Sequence, residues 1–593
     1  MLKKIYKNIC ARISKALKSM PERTLLLILA FIVGIGSGFA AVLLKKLIEL
    51  INHGLTSWFT TPLDSYTYLI YPGVGMLLSF LLVKIFVKED IRHGVTKVLL
   101  AISRHESRIK AHNMWSSIGA SSLTIGFGGS VGAEAPIVYA GAAIGSNIAR
   151  ALGLSYKHMT ILLGCGAAGA IAGIFKAPLA GILFTLEILL FNISMSSILP
   201  LLVSSVTATL VSYLFLGDVV MFSNTIEKFA LGNVPYYIIL GIFCGFISLY
   251  FMRTSLRLEE KVSKIKKPIN RWLICALSLG ILIFLFPPLY GEGYSSLTLM
   301  LNNNATECAG RDIHTILTSN PWFVPIFFAA IMMLKVYATA FTNAGGGVGG
   351  TFGPTLFTGG VAGFVLGRLI NLSGIHIIPE ANFVLVGMAG LMAGVMQAPM
   401  TAIFLIAEIT GGYDLLVPLI ITAAFSFATM RAIEPYSIYT KRIAKQGDLL
   451  THDSDKAVLT LLKTSDLIED DFSPVGLDMT LGNLIKIVAK SKRNIFPVVD
   501  KDGCFQGVVF LDDIRDKMFD VKLYDNVFVY NIMKNAPAFV YGNEKMDSVM
   551  RKFEYTQAWN LPVLDDENKY IGFVSKSKIF SSYREQLQQV SHD

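Results

Sequence analysis

The sequence predicts an all-α polytopic membrane domain with inverted repeats and broken helices, followed by a C-terminal α/β cytoplasmic domain. Three observations support this fold class. Of the 593 residues only 16% are charged, whereas about a quarter are charged in an average soluble protein. Apolar stretches of membrane-spanning length fill the chain up to about Met430, and two blocks of glycine and proline recur in its halves. After about Thr440, charged residues return every few positions.

Residues 24–442 form the predicted transmembrane domain. Stretches such as Thr24–Leu43, Ile198–Leu216 and Val234–Tyr250 are long enough to cross about 30 Å of hydrocarbon as helices. Residues 1–23 form a basic segment, and no apolar core with a small-residue cleavage site of the signal-peptide type follows it. Basic flanks mark the cytoplasmic side of a membrane, so they explain most of the net charge of +10 without a nucleic-acid partner.

The most informative pattern in the transmembrane part is an internal repeat. Residues 128–136 (GGSVGAEAP) are similar to residues 346–354 (GGVGGTFGP), and both reduce to GG…GxxxP. Residues 166–188 are similar to residues 387–409, with a Gly/Ala-rich block, an Ala-Pro pair and a Glu-Ile pair. Both blocks recur in the same order at nearly the same offset, which predicts two duplicated halves. The halves span about residues 24–216 and 233–442.

Interrupted apolar segments at matching places in two halves point to a transport site. Within hydrocarbon, a helix break is tolerated only where the freed backbone groups are buried in protein or line a watery cavity. A helix N-terminus carries about half a positive charge, so several of them aimed at one point bind an anion without any lysine. Gly132 and Gly350 let the backbone approach such a ligand, and Pro136 and Pro354 suit a first helical turn. Close helix packing is the preferred role for four further glycines: Gly141, Gly145, Gly359 and Gly363.

Glu134 lies inside the first loop, where its repeat partner is Phe352. An ionisable residue within a membrane segment is costly and is therefore a functional candidate. At a cluster of helix N-termini its carboxylate can occupy the anion site, compete with the permeant ion and free the site when protonated. The alternative is an acid that only caps helix amides. For Glu187 and Glu408, a structural hydrogen bond between helices and a functional role are equally open.

These motifs resemble those of the CLC family of chloride channels and proton/chloride antiporters, over nearly the whole chain from about Thr24. Residues 132–136 (GAEAP) match the family's GxExP loop, residues 350–354 (GTFGP) match its GxFxP loop, and residues 176–181 also fit. The resemblance implies a homodimer with one chloride pore per subunit and Glu134 as the external gating glutamate. We expect an integral protein of a bacterial inner (plasma) membrane with both termini cytoplasmic.

The resemblance also implies an anion site. Backbone amides of the two loops would donate to the ion, and Tyr436 resembles the pore tyrosine whose hydroxyl helps to coordinate it. The implied anion-binding residues are Gly132, Ala133, Ala135, Gly350, Thr351, Phe352, Tyr436 and His93.

Two departures from the family's pattern concern the anion path. His93 takes the place of the serine that usually faces the central anion. Its imidazole either donates to the anion, with an effect of pH, or lies at a wet cytoplasmic mouth beside Arg92 and Lys97 and only attracts anions. Ala133 and Ala135 stand where the family usually has a basic residue and a glycine, which should weaken electrostatic attraction at the outer mouth.

A third departure concerns coupling to protons. Ile188 stands where the family's antiporters usually carry an internal glutamate, and it cannot hold a proton. Its neighbour Glu187 points about 100° away on a helix. The sequence therefore favours a passive gated chloride channel, with a proton/chloride antiporter using an atypical internal path as the alternative. No Walker lysine or nucleophile elbow appears, and the six cysteines lack metal-ligand spacing, so no enzyme, metal or cofactor is expected.

Residues 443–593 form the predicted cytoplasmic tail, which contains a second repeat. Residues 496–509 (FPVVD…GVV) match residues 561–574 (LPVLD…GFV) at a fixed offset. The two units, about 464–520 and 530–585, resemble a pair of CBS motifs. The family's ribose signature, Ser/Thr-x-x-Asp, is incomplete in both units. The sequence therefore favours a dimer-stabilising module over an adenine-nucleotide site.

Overall fold

The computed structural model divides into two compact units, Met1–Leu450 and Thr451–Asp593. The described residues are 20–57, 64–104, 107–189, 195–218, 222, 226–308, 317, 319–445, 464–544, 546–565 and 567–582. Most of the basic N-terminal segment, residues 1–23, therefore lies outside the described residues, as does the start of the predicted tail.

The described part of the first unit is helical. Its first half contains α1 Glu22–Ser57, α2 Asp64–Leu82, α3 Gly94–Arg104, α4 Asn113–Gly126, α5 Glu134–Ala151, α6 Tyr156–Phe175, α7 Pro178–Ile188 and α8 Met195–Leu216. Its second half contains α9 Val234–Ser263, α10 Pro268–Leu285, α11 Tyr294–Leu301, α12 Phe323–Ala344, α13 Phe352–Ser373, α14 Glu380–Met396, α15 Pro399–Ile409, α16 Leu416–Ile433 and α17 Ile438–Lys445. Within the described ranges, nine helices are long and apolar enough to cross a membrane.

The two halves repeat the same packing. Helix α1 packs on α8 as α9 packs on α16, and α5 packs on α6 as α13 packs on α14. The loops before α5 and α13 pair in antiparallel fashion at Gly132 and Gly350. This is the relation expected of inverted repeats, and the predicted fold class is confirmed.

Close packing accounts for the four glycines assigned to it. A Cβ atom on Gly141 would lie 2.2 Å from the carbonyl oxygen of Gly166, and one on Gly359 would lie 2.4 Å from that of Gly387. On Gly145 and Gly363 the added Cβ would come within 1.9 Å of backbone oxygens on the neighbouring helix. These glycines allow α5 to lie against α6, and α13 against α14, at backbone contact distance.

Short helices α7 and α15 begin with a proline in both halves. The residues two positions before the prolines, Lys176 and Gln397, have left-handed φ values of 57° and 53°. Such a conformation ends the preceding helix, and proline, which lacks an amide hydrogen, starts the next. The breaks in the two halves are therefore built from the same local chemistry.

The second unit consists of two similar three-stranded sheets with orders β1-β2-β3 and β4-β5-β6. The strands are β1 Val475–Gly476, β2 Ile495–Val499, β3 Phe505–Phe510, β4 Val540–Tyr541, β5 Asn560–Leu564 and β6 Tyr570–Ser575. In each sheet a parallel pair is followed by an antiparallel pair with one register shift. Helices α18 Leu481–Val488 and α20 Met546–Thr556 contribute buried side chains to the two cores, and α19 Leu511–Ile514 follows β3. Phe472, Val508 and Phe573 form a further apolar cluster between the two sheets.

Candidate anion site

The two GxxxP loops meet at the N-termini of α5 and α13. The amide of Gly132 donates to the carbonyl oxygen of Gly350 at 2.9 Å, and the amide of Gly350 donates back to that of Gly132 at 2.7 Å. This reciprocal pair fixes the two helix starts beside each other. Two positive dipole ends therefore converge within the buried part of the protein.

Glu134 is the first residue of α5 and its side chain lies between the two loops. It is 2% exposed, and its Oε1 accepts a hydrogen bond of 3.0 Å from the hydroxyl of Tyr294. The carboxylate also faces the backbone amide of Gly353 in the first turn of α13. A Cβ atom on Gly132 would lie 2.0 Å from Oε2, so only glycine leaves room for the carboxylate in this position. A carboxylate at two helix N-termini occupies a position that suits an anion.

The loop amides divide into two groups, which corrects part of the expected anion site. The amides of Gly132 and Gly350 bind each other's carbonyls, and the amide of Ala133 donates to Glu292 Oε1 at 2.9 Å. These three amides have protein acceptors and do not face a free ligand, contrary to our expectation. The amides of Ala135, Thr351 and Phe352 lie in the first turns of α5 and α13, where no intrahelical acceptor exists.

The side chain of Phe352 forms a wall of this region. Its ring is fully buried, with centroids 5.6 Å from Phe175 and 6.2 Å from Phe184. These two rings come from α6 and α7 of the opposite half. The repeat partner of Glu134 therefore provides packing, while its backbone amide stays at the helix start.

The tyrosine at the site is Tyr439, not Tyr436, which is a second correction. Tyr436 precedes α17 and is 37% exposed, whereas Tyr439 lies in α17 and is 3% exposed. The hydroxyl of Tyr439 faces Thr351 and lies near the Glu134 carboxylate. Buried residues of α17 follow helical spacing: Ile438, Tyr439, Arg442 and Ile443. That spacing was the signal that could have selected Tyr439 from the sequence.

Several buried polar atoms in this region have no hydrogen-bond partner among the described residues. They are Glu134 Oε2, Thr351 Oγ1, Tyr439 OH and, in the first turn of α3, Thr96 Oγ1. A buried polar group without a partner costs free energy of about 1–3 kcal/mol, so such groups usually face water or an ion. Hydroxyl donors and helix N-termini together suit a small anion.

His93 lies beside a separate cavity of about 170 Å³. Its lining residues are Arg92, His93, Glu259, Ser263, Arg271, Asn343 and Ala344. His93 Nε2 is 3.7 Å from Glu259 Oε2, and Arg442 donates to the same carboxylate at 2.8 Å. Burial lowers the pKa of His93 to about 4, and the positive charges of Arg442 and Arg92 act in the same direction. His93 therefore lies between one acid and two arginines at the start of α3, and its role stays a prediction.

Glu292 was missed by the sequence analysis. It lies two residues before Tyr294, and its carboxylate accepts from the amide that directly precedes Glu134. Lys335 on α12 is fully buried and donates to the carbonyl oxygens of Leu289 at 3.3 Å and Gly291 at 2.8 Å. Both charged residues lie in mostly apolar segments, which is the signal that could have marked them.

Glu187 and Glu408 each cap the start of a short helix in the opposite half. Glu187 accepts from the amides of Met400 at 3.0 Å and Thr401 at 2.7 Å, at the start of α15. Glu408 accepts from the amides of Leu179 at 3.0 Å and Ala180 at 2.9 Å, at the start of α7. Of the two roles left open by the sequence, this geometry favours the structural one. Ile188 is buried beside Glu187.

Comparison with known proteins gives the following matches. The sequence profile described as "Voltage gated chloride channel" matches residues 74–431, and CBS domain profiles match residues 465–520 and 529–585. A putative chloride channel protein ClcB-like of Ralstonia nicotianae is 29% identical over 388 residues, covering 64% of this chain and 86% of its own length. Chloride channel protein CLC-e of Arabidopsis thaliana is 26% identical over 562 residues, covering 84% and 76%. The voltage-gated ClC-type chloride channel ClcB of Escherichia coli is 29% identical over 440 residues, covering 71% and 99%.

Two solved structures have a similar fold. A slow cyanobacterial Cl⁻/H⁺ antiporter superposes with a TM-score of 0.61 at 23% identity, covering 72% of this chain and 99% of its own. A eukaryotic CLC transporter superposes with a TM-score of 0.58 at 18% identity, covering 93% and 97%. At these identities the likeness concerns the fold.

Proposed function

The chain belongs to the voltage-gated chloride channel (CLC) family, and from this premise we propose that it is a passive, gated, chloride-selective channel with Glu134 as its gate. We further propose that it works as a homodimer in a bacterial inner membrane, with cytoplasmic termini. The proposal depends on one observation, which is the position of the Glu134 carboxylate. It occupies two converging helix N-termini beside hydroxyls that have no partner among the described residues.

The electrostatics of this position explain how one carboxylate can act as a gate. An ionised carboxylate and a chloride ion compete for the same amide dipoles. Protonation removes the charge of Glu134 and weakens its hold on the site, so the side chain withdraws and an anion enters. External acid should therefore raise chloride flux.

The internal side of the molecule favours a channel over an exchanger. Ile188 has no group that binds a proton, and the carboxylate of Glu187 is engaged by the first amides of α15. A proton entering from the cytoplasmic side would lack the usual acidic carrier at this position. Chloride flux should therefore run without stoichiometric proton movement.

The alternative is a proton/chloride antiporter with an atypical internal path, and one observation favours it. Glu259 lines the cavity next to the start of α3, with its carboxylate between His93 and Arg442. An acid at this place could accept a proton from the cytoplasmic side.

Chloride flux from liposomes that contain the purified protein, with simultaneous recording of pH, separates the two mechanisms. A channel gives chloride flux alone, and obligatory proton movement opposite to chloride would establish the antiporter. Glu134→Gln mimics the neutral carboxyl at nearly equal size. We expect intact or faster chloride passage and loss of most of the external pH dependence.

Glu134→Ala should behave in the same way as Glu134→Gln. The exposed acid Asp414, between α15 and α16, offers a matched control, because Asp414→Asn also removes one charge but should keep the wild-type pH response. If Glu134 only capped helix amides, the Gln variant would keep a normal pH response, and the Ala variant would lose about 1 kcal/mol of stability.

We assign no catalytic residue, metal or cofactor to the chain, and we propose that the CBS pair is a dimer-stabilising module. In the first CBS motif the signature positions are Phe510 and Asp513, so the hydroxyl is missing. In the second CBS motif they are Ser575 and Lys578, so the acid is missing. Calorimetric titration of the purified protein with ATP, ADP and AMP tests this, because heat of binding at micromolar nucleotide would contradict the module assignment.

A further inference from the structure

Residues 290–294 form a short segment that lies against the Glu134 loop. The amide of Gly291 donates to the carbonyl oxygen of Gly128 at 3.1 Å. Gly291 and Gly293 have φ values of +58° and +90°, a region that other residues avoid. A Cβ atom on Gly293 would also lie 2.4 Å from the ring of Phe357. The left-handed backbone on both sides of Glu292 therefore favours glycine.

This segment contacts the gate region at two points. Glu292 Oε1 accepts the amide of Ala133 at 2.9 Å, and the hydroxyl of Tyr294 donates to Glu134 Oε1 at 3.0 Å. Two acids that are 158 positions apart in sequence thus share one helix N-terminus. The closeness of the two carboxylates makes each a source of repulsion for the other when both are ionised.

Charged and titratable groups approach the pair from several elements. Glu134 comes from α5 and Tyr294 from α11, while Lys45 from α1 and Lys335 from α12 lie on the Glu292 side. Further groups at the periphery are Glu49 and Lys176 beside Lys45, and Tyr439 beside Glu134. Burial raises the pKa of Glu292, whereas the Ala133 amide and the two lysines act in the opposite direction and favour its ionised form.

We propose that Glu292 is a positioning residue whose negative charge sets how easily the Glu134 carboxylate leaves its position between the two GxxxP loops. This inference rests on the proposed role of Glu134 as the gate. An ionised Glu292 disfavours a second negative charge at the same helix end, so it shifts Glu134 towards the protonated, withdrawn state. The seated carboxylate is thereby held less tightly than the amides and Tyr294 alone would hold it.

Glutamine at position 292 distinguishes the charge from a merely structural role. The amide oxygen of Glu292→Gln can still accept from Ala133 at nearly the same place, so capping is kept while the charge is lost. A role limited to capping predicts an unchanged pH profile. A role through charge predicts that chloride flux reaches half its maximum at a lower external pH.

The experiment measures chloride flux from liposomes against external pH. For Glu292→Gln we expect the midpoint to fall by at least about one pH unit, because two unit charges closer than about 12 Å interact by more than the equivalent of one pH unit at an effective dielectric constant of about 20. Asp414→Asn, at an exposed acid between α15 and α16, is the control and should leave the midpoint in place.

The double variant Glu134→Gln/Glu292→Gln separates this inference from the proposed function. It should match Glu134→Gln alone, because a neutral gate does not respond to a neighbouring charge. An unchanged midpoint in Glu292→Gln, in protein that folds and conducts, overturns the role of Glu292 and leaves the gate intact. If Glu134→Gln keeps its pH dependence, the proposed gate fails, and the inference fails with it.

Discussion

The hydrogen bond from Tyr294 to Glu134 gives a prediction whose size follows from the structure. Tyr294→Phe removes one donor at 3.0 Å from a carboxylate that is 2% exposed, and it keeps the ring in place. A hydrogen bond to a charged group contributes about 1.5–3 kcal/mol. One pH unit corresponds to about 1.4 kcal/mol, so the loss equals a shift of about one to two pH units.

The direction of the shift follows from which state the bond stabilises. Tyr294 donates to the seated, ionised carboxylate, so its loss makes that state less favourable. Protonation and withdrawal of Glu134 then occur at a higher external pH, and the midpoint of chloride flux should rise. Flux from liposomes at a series of external pH values measures this midpoint directly.

Tyr290→Phe is a matched control, because it removes a hydroxyl from the same segment. The ring of Tyr290 lies against Gly128 and Tyr68 rather than Glu134. In the Glu134→Gln background, Tyr294→Phe should have little further effect on the pH profile, as a double-mutant cycle requires when one interaction is responsible. An unchanged midpoint in Tyr294→Phe, or an equal shift in both backgrounds, would refute the reasoning.

Three further predictions test other parts of the proposal. Tyr439→Phe should lower chloride affinity measured by calorimetry, while Tyr436→Phe should leave it near the wild-type value; the reverse order would restore Tyr436 to the site. Ile188→Glu should allow some proton movement in the pH-recorded flux assay, and its absence would show that a carboxyl alone does not complete the path. Truncation after about Gly447 should impair expression or gating and leave anion preference unchanged, and a changed halide selectivity would contradict the division into two regions.

The sequence predicted the repeated architecture well, because repetition is visible without knowledge of contacts. The GxxxP loops and the Ala-Pro breaks each encode a local backbone event, a helix start or a helix end, that depends on a few neighbouring residues. The position of Glu134 among glycines also carried its own signal, since an acid in an apolar stretch is costly unless it has a role.

The partners of that acid could not be predicted in the same way. The contacts of Glu292 with Ala133 and of Tyr294 with Glu134 join residues 159 and 160 positions apart, and no local pattern fixes such pairs. The expectation that the amides of Gly132 and Gly350 face an anion was wrong for a related reason. Loop–loop pairing between Gly132 and Gly350 uses amides that the isolated motif leaves available. Tyr436 was assigned from its sequence motif alone, whereas the buried side of α17 carries Tyr439.

Helices α7 and α15 each carry the acid that caps the start of the other. Neither half of the transmembrane unit is therefore complete by itself. Glu187 lies in the first half and binds amides of the second, and Glu408 does the reverse. One half inserted alone would leave the first amides of its short helix without an acceptor, which hydrocarbon penalises. Two copies of a single half, related by a twofold axis, would satisfy each other as an isologous dimer does. The two halves, cut between α8 and α9 and produced together, should therefore assemble from separate pieces.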